Sequence, residues 1–154
     1  MRKLRRRYKK PKRPWDSSRI EQERKTLKEF GLRKKREIWV AEAIVRKFRR
    51  RARDLIAIKD ENEKKILLER VVGLGLIEKG QGLENVLALN VRDVLNRRMQ
   101  TIVLKKGLAD TINHARQKIT HGHIYMGDRK MIFPSYVVPV ENEKLIKLKE
   151  IKKG

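Results

Sequence analysis

The sequence predicts an α+β protein: a helical N-terminal lobe, then a small domain of two helices and an antiparallel sheet, with a disordered basic tail in front. Three observations predict it. From Ile38 to Leu55 apolar residues recur every three or four positions, the period of an amphipathic helix. After Gly122 the pattern changes to short apolar runs parted by turn residues, HIYM, then Gly127-Asp128, then RKMIF. The first 14 residues, MRKLRRRYKKPKRP, hold nine basic side chains and no acid, so they can bury no core and are expected to order only on contact with phosphate. The expected division is a tail over 1–14, a helical lobe over 15–89 and the two-helix-plus-sheet domain over 90–154.

Each element has a local reason. Ser18 and Glu21 form a capping-box pattern that predicts a helix start at Ser18, and Gly31 predicts its end. A second helix is expected over about 37–58, with Ile38, Ala41, Ile44, Val45, Phe48, Ala52 and Leu55 as its buried stripe. A third, over about 60–72, would bury Ile66, Leu67, Leu68, Val71 and Val72. The glycine-rich stretch 73–85 reads as a loop and lacks the Gly-Lys-Ser/Thr ending of a phosphate-binding NTPase loop. Asn90 predicts the cap of one helix that carries Val91, Val94, Leu95, Met99 and Ile102 along one side and ends at Gly107. Asp110 or Thr111 caps the next, which Gly122 ends. Then come a hairpin with a type II′ turn at Gly127-Asp128, a turn at Pro134-Ser135 into YVVPV, and a turn at 141–143 into the alternating strand KLIKL.

The net charge is +23, from 42 Lys plus Arg against 19 Asp plus Glu. Such self-repulsion points to a polyanionic partner, nucleic acid first and an anionic membrane surface second. Residues 1–53 hold 23 basic and 6 acidic side chains, a net +17, so the electrostatic footprint lies in the N-terminal third. Aromatic residues are only 5%, too few for base stacking to be the main mode of recognition. No apolar run approaches the ~20 residues of a membrane span, and no hydrophobic signal core follows the basic N-terminus.

Candidate nucleic-acid contacts follow from charge and helical position. The tail offers Arg5, Arg6, Arg7, Lys9 and Lys10, and the link before the second helix offers Arg33, Lys34, Lys35 and Arg36. Around the outer faces of that helix lie Arg46, Lys47, Arg49, Arg50, Arg51 and Arg53. In the C-terminal domain the first helix adds Arg97, Arg98, Gln100, Thr101, Lys105 and Lys106. The helix within HARQKITHGHI buries Ile112, Ala115 and Ile119. It turns Asn113, His114, Gln117, Lys118 and His121 outward, with His123 beyond. No acidic residue lies between Asp110 and Asp128, so this arc is made of donors and donor–acceptors, suited to phosphate and 2′-hydroxyl oxygens. Arg116, at the apolar edge, can equally pin its helix to a carbonyl or carboxylate. His123 could equally be a structural histidine. Trp39 is expected at the core edge. Trp15, after Pro14, is expected to anchor the tail, with stacking on a base as the alternative.

Other chemistry finds little support. There is no cysteine, which excludes disulfides and thiolate zinc sites. His121-Gly-His123, with His114 alone besides, offers a poor ligand set, and no metal or cofactor is expected. No nucleophile–base arrangement stands out, and the acids mostly sit beside Lys or Arg on helices.

Residues 97–124, RRMQTIVLKKGLADTINHARQKITHGHI, and 125–143, YMGDRKMIFPSYVVPVENE, resemble the RNA-binding domain of the small-subunit ribosomal protein four family, in its archaeal and eukaryotic branch. Residues 13–55 are similar to that family's first lobe, including the step at Gly31–Glu37. The resemblance implies a structural, non-catalytic protein of the cytoplasmic ribosome. It further implies direct and early binding of small-subunit rRNA at a 5′-domain helix junction. Neighbouring ribosomal proteins would be partners, and the site would lie near the point where messenger RNA comes into the subunit. Departures are Gly127-Asp128 where the family usually has Asn-Gly, a short stretch after the last strand, and the absence of the cysteine cluster of some bacterial members. The alternatives are a free-standing RNA chaperone or the appended RNA-binding module of an RNA-modifying system.

Overall fold

The structure is a computed structural model, and it describes residues 8–58 and 60–149. Helix α1 spans Ser17–Glu29, α2 Lys35–Ile58 and α3 Glu61–Gly73, followed by the short α4 Leu83–Ala88 and α5 Val91–Asn96. Then come α6 Met99–Lys105, α7 Ile112–Thr120, strands β1 Ile124–Met126 and β2 Arg129–Met131, a turn of helix α8 Val140–Glu143, and β3 Ile146–Leu148. The mixed helical fold with a small antiparallel sheet is as the sequence predicts.

Helix α2 is the spine of the first lobe. Ile38, Ala41, Val45, Phe48, Ala52 and Leu55 are all buried on one stripe, at the predicted positions. They meet Phe30 and Leu32 from the end of α1, Leu67 and Val71 of α3, Val86 and Leu89 around α4, and Val94 and Leu95 of α5. A second apolar cluster holds Met99, Ile102 and Val103 of α6, Ala115 and Ile119 of α7, and Ile124, Met131, Val138 and Ile146 from the sheet region. The two clusters part between Leu95 and Met99, so α5 packs with the first lobe although it lies beyond residue 89.

The three strands run antiparallel in the order β2-β1-β3, with Ile124 opposite both Met131 and Leu148. Their inward residues close over α6 and α7, which fixes α7 on the outside of the small domain with its polar arc facing solvent.

Several expectations are corrected. Helix α1 is capped by Asp16, not Ser18. The Asp16 carboxylate accepts the Arg19 N–H at 3.4 Å and the Ser18 hydroxyl at 2.7 Å, because an ionised acceptor two residues earlier outcompetes a hydroxyl at a helix N-terminus. Ile66 of α3 is exposed, since only Leu67 and Val71 share the inward line. The helix expected from Asn90 to Gly107 is two helices, broken at Arg97-Arg98. YVVPV is no strand: Val137 makes one isolated bridge to Arg98. The carbonyl of Tyr136 accepts Met99 N–H at 2.7 Å and Val138 N–H reaches Arg97 O at 2.9 Å. This segment therefore bonds to the start of α6 rather than to the sheet, and residues 140–143 form α8 instead of a plain turn. The tail's Arg5, Arg6 and Arg7 lie outside the described residues. Residues 8–14 form no helix or strand, yet they are tied down: the Tyr8 ring lies 5.8 Å from that of Trp39.

Gly31 sits where the two lobes meet, in the left-handed region at φ +55, and a Cβ there would stand 2.7 Å from Ile112 Cγ2 and 2.9 Å from Gln100 Nε2. Gly107 also has positive φ, but open space around it. Gly31→Ala therefore carries both backbone strain and a clash, and it should lower stability by about 2–4 kcal/mol. Gly107→Ala should lower it by only ~1–2 kcal/mol. Urea unfolding midpoints of the two variants check this, and equal losses would show that the seam relaxes freely.

Candidate nucleic-acid interface

The seam between the lobes is polar and centres on Glu37, the third residue of α2. Its carboxylate reaches back to the Arg33 N–H at 3.1 Å and the Lys34 N–H at 3.4 Å, half of a capping box. From the other lobe come Arg98, at 2.5 Å, and Arg116, at 3.3 Å. Arg98 retains 5% side-chain exposure and Glu37 18%, so the pair is largely out of water. Gln100 adds neutral bonds: its amide donates to Gly31 O at 3.2 Å and to Ile112 O at 3.0 Å. Arg116 also donates toward Gly31 O at 3.4 Å. Burial by itself would raise the Glu37 carboxyl; the guanidiniums of Arg98 and Arg116 outweigh it and hold the group below its ordinary range. Burial lowers Arg98, against the opposing pull of Glu37.

A second carboxylate joins α1 to α2. Buried Glu23 accepts the Trp39 indole N–H at 3.0 Å, Arg19 at 3.1 Å and Lys35 at 3.1 Å. Burial would raise its carboxyl, and these donors bring it below the usual range.

The seam places Arg33 beside α7. Together Arg33, Asn113, Arg116, Gln117, Thr120 and His121 line an open depression of about 580 Å³, and among the described residues no carboxylate stands in its wall. Thr111 caps α7, accepting the His114 N–H at 3.1 Å, which aims this arc outward. A second basic face runs along α2, where Arg36, Arg46, Lys47, Arg50, Arg51 and Arg53 are exposed, with Lys9 and Lys10 of the tail also exposed. Arg46, Arg50 and Arg51 reach carboxylates only at 4.0, 3.9 and 3.6 Å, weak surface pairs. Among the described residues no carboxylate oxygen lies within 4.0 Å of the charged side-chain nitrogens of Arg33, Lys34, Arg36, Lys47, Arg53 or Lys105.

Other expected contacts are turned inward. Arg98, Gln100 and Thr101 are buried; the Thr101 hydroxyl donates to Leu95 O at 2.9 Å and bridges the break between α5 and α6. The helix expected as one rod would have exposed them, but the break rolls α6 into the core. Arg97 pairs with Glu143 at 2.8 Å and donates to Val138 O at 2.9 Å, and Lys106 donates to Glu143 O. Arg49 donates to Leu89 O, Lys35 is shared with Glu23, and Lys118 donates to Leu108 O at 2.8 Å. Arg116 takes its pinning role. The α7 arc is not wholly free of acid: Asp110 reaches the His114 ring at 2.9 Å. His121 and His123 are exposed, with ring centroids 6.3 Å apart. Trp39 is half-buried, but Trp15 is 89% exposed rather than packed as an anchor against the described residues. Sequence reasoning missed Glu37 as the organiser of the site; its signal was a lone acid directly after four consecutive cations.

No protein-family model matches the chain. It is 48% identical over 148 residues to the small ribosomal subunit protein uS4 of Ignicoccus hospitalis, across 94% of this chain and 89% of that protein. The uS4 proteins of Methanothermobacter thermautotrophicus and Saccharolobus solfataricus are 44% and 43% identical, across 89% and 94% of this chain and 82% of each relative. Basic, two-lobed and α+β, it is of the ribosomal-protein class. The chain belongs to the small ribosomal subunit protein uS4 family.

The lowered carboxyl of Glu37 sets a pH dependence. Its contribution is complete above the ordinary glutamate range, and it is lost as pH falls through the lower native value. Glu37→Gln leaves Arg98 buried without its counter-charge and should cost roughly 3 kcal/mol at neutral pH. Its urea midpoint should also fall less steeply than wild type between about pH 5 and pH 3. Glu23 leaves some slope in both proteins. Parallel pH profiles of the two would show that the ion pair contributes nothing.

Proposed function

We propose that the chain is a structural, non-catalytic constituent of the small ribosomal subunit in the cytoplasm. It binds small-subunit rRNA directly at a helix junction of the 5′ domain, early in assembly. There it lies beside neighbouring small-subunit proteins and near the point where messenger RNA comes in. The observation that carries this reading is a depression whose described lining residues include no acid, built by Arg33 of one lobe and Asn113, Gln117 and His121 of the other, in a chain 48% identical to a uS4 protein.

The mechanism is recognition of shape. Amide, imidazole and guanidinium donors on α7 and at Arg33 meet phosphate and 2′-hydroxyl oxygens, which accept. The cations of α2 and the tail neutralise phosphates on a second face and release counterions. The Glu37 seam holds the two faces at one angle, so an RNA must present two helices in matching geometry to satisfy both. Among the described residues no helix is long and apolar enough to cross a membrane.

The test is binding of the full chain to the 5′-domain junction and to an unrelated folded RNA of equal length, across a salt series. A preference for the junction that survives moderate salt supports the reading; equal affinities that fall together with salt refute it. Two variants divide the faces. Arg33→Ala, Gln117→Ala and His121→Ala together should weaken junction binding on the order of tenfold or more. Lys47→Ala, Arg50→Ala and Arg53→Ala together should weaken both RNAs and flatten the log–log salt slope by roughly 0.7–0.9 for each phosphate left unneutralised.

A further inference from the structure

We infer that Trp15 is a stacking platform for an unpaired nucleobase of the bound RNA, an inference that rests on the RNA-binding reading above. The chain has two tryptophans, and the fold assigns them opposite roles. Trp39 is committed: its indole N–H is bonded to Glu23 and its ring is met by Tyr8. Trp15 is 89% exposed, the most exposed large apolar side chain among the described residues. At that exposure both faces of the indole are open to a stacking partner.

The ring is presented from a firm base. Pro14 fixes the backbone before it. Asp16 after it is the cap of α1: its carbonyl accepts the Ile20 N–H at 3.0 Å and its carboxylate holds the Ser18 hydroxyl and the Arg19 N–H. Trp15 thus stands at the entrance to a helix rather than on a loose strand, so the backbone that carries the ring is held by the cap.

Its surroundings select a base over a protein pocket. Lys12 and Arg13, directly before Pro14, are exposed, as are Lys9 and Lys10. The one adjacent acid, Asp16, is engaged with the helix N-terminus, and its carboxyl lies below the usual range through the Ser18 hydroxyl and the Arg19 N–H. Along the chain the next exposed large apolar residue is Ile56. A protein–protein anchor sits within a ring of neighbours that excludes water. A single ring amid cations instead joins one base face to phosphate neutralisation on either side, the arrangement by which proteins hold unpaired nucleotides.

The experiment compares wild type with Trp15→Ala, in which Trp39 alone emits, so the difference in fluorescence reports Trp15. Each full-length protein is titrated with the 5′-domain junction RNA. Trp15 emission should be quenched as the complex forms and become shielded from acrylamide. Trp15→Ala, folded by circular dichroism, should bind the junction about 5- to 150-fold more weakly, the range for one base stacked on one ring. Trp15→Phe should recover most of that loss. The salt slope should stay as in wild type, since no cation is removed. Unchanged junction affinity in Trp15→Ala, or an indole still open to acrylamide in the saturated complex, overturns the inference and leaves the RNA-binding reading standing. Shielding that develops only when a neighbouring small-subunit protein is added makes Trp15 a protein contact and likewise overturns it. A wild type with no preference for the junction removes both readings.

Discussion

One carboxylate, Glu37, holds the molecule's two halves together. A chain with net charge +23 has cations to spare and few anions, so where a buried anion is placed decides which cations turn inward. Glu37 closes the N-terminus of α2 on itself and draws Arg98 and Arg116 across from the other lobe. Surface ion pairs such as Arg50–Asp54 at 3.9 Å are worth little against solvent screening. A largely buried pair is different in kind: breaking it strands a charge in the interior. Glu37 therefore meets Arg98 and Arg116 only with the two lobes docked, and the seam joins the apolar clusters on either side of it.

What the sequence made legible follows from whether a feature is local. The α2 stripe is a repeat of apolar side chains at helical spacing, and each of Ile38, Ala41, Val45, Phe48, Ala52 and Leu55 is buried as the period requires. The switch to short strands after Gly122 is likewise written in turn residues. The break at Arg97-Arg98 is not local. Val94, Leu95, Met99 and Ile102 keep helical spacing straight through it, and the interruption comes from backbone bonds to Tyr136 and Val138, some 40 residues away. A window of sequence contains no trace of those partners.

The same limit governed the candidate interface. A helical wheel treats every Arg, Lys or Gln as free to meet a ligand. The fold sorts them: Gln100 is drawn to the carbonyls of Gly31 and Ile112, Lys118 to Leu108 O, Arg49 to Leu89 O. Arg33, Lys34, Arg36, Lys47 and Arg53 stay outside. Composition could count the cations but not divide them, because the division depends on which carbonyls and carboxylates the tertiary structure brings within reach. The two tryptophans show the reverse: a place after Pro14 suggests an anchor at Trp15, yet the tail's ring contact is Tyr8 on Trp39.

This sorting explains how so basic a surface could be selective at all. Phosphate neutralisation is nearly indifferent to sequence and to register; it gives affinity for any polyanion. Selectivity needs distances that do not adjust. In this fold they come from the inward cations: the guanidiniums of Arg98 and Arg116, spent on Glu37, fix the relation between the α2 face and the α7 depression, while Arg97, spent on Glu143, fixes α8 against the end of α5. The outward cations then lie on a frame whose geometry, rather than whose residue types, carries the information. A flexible chain of the same composition would bind RNA and distinguish little.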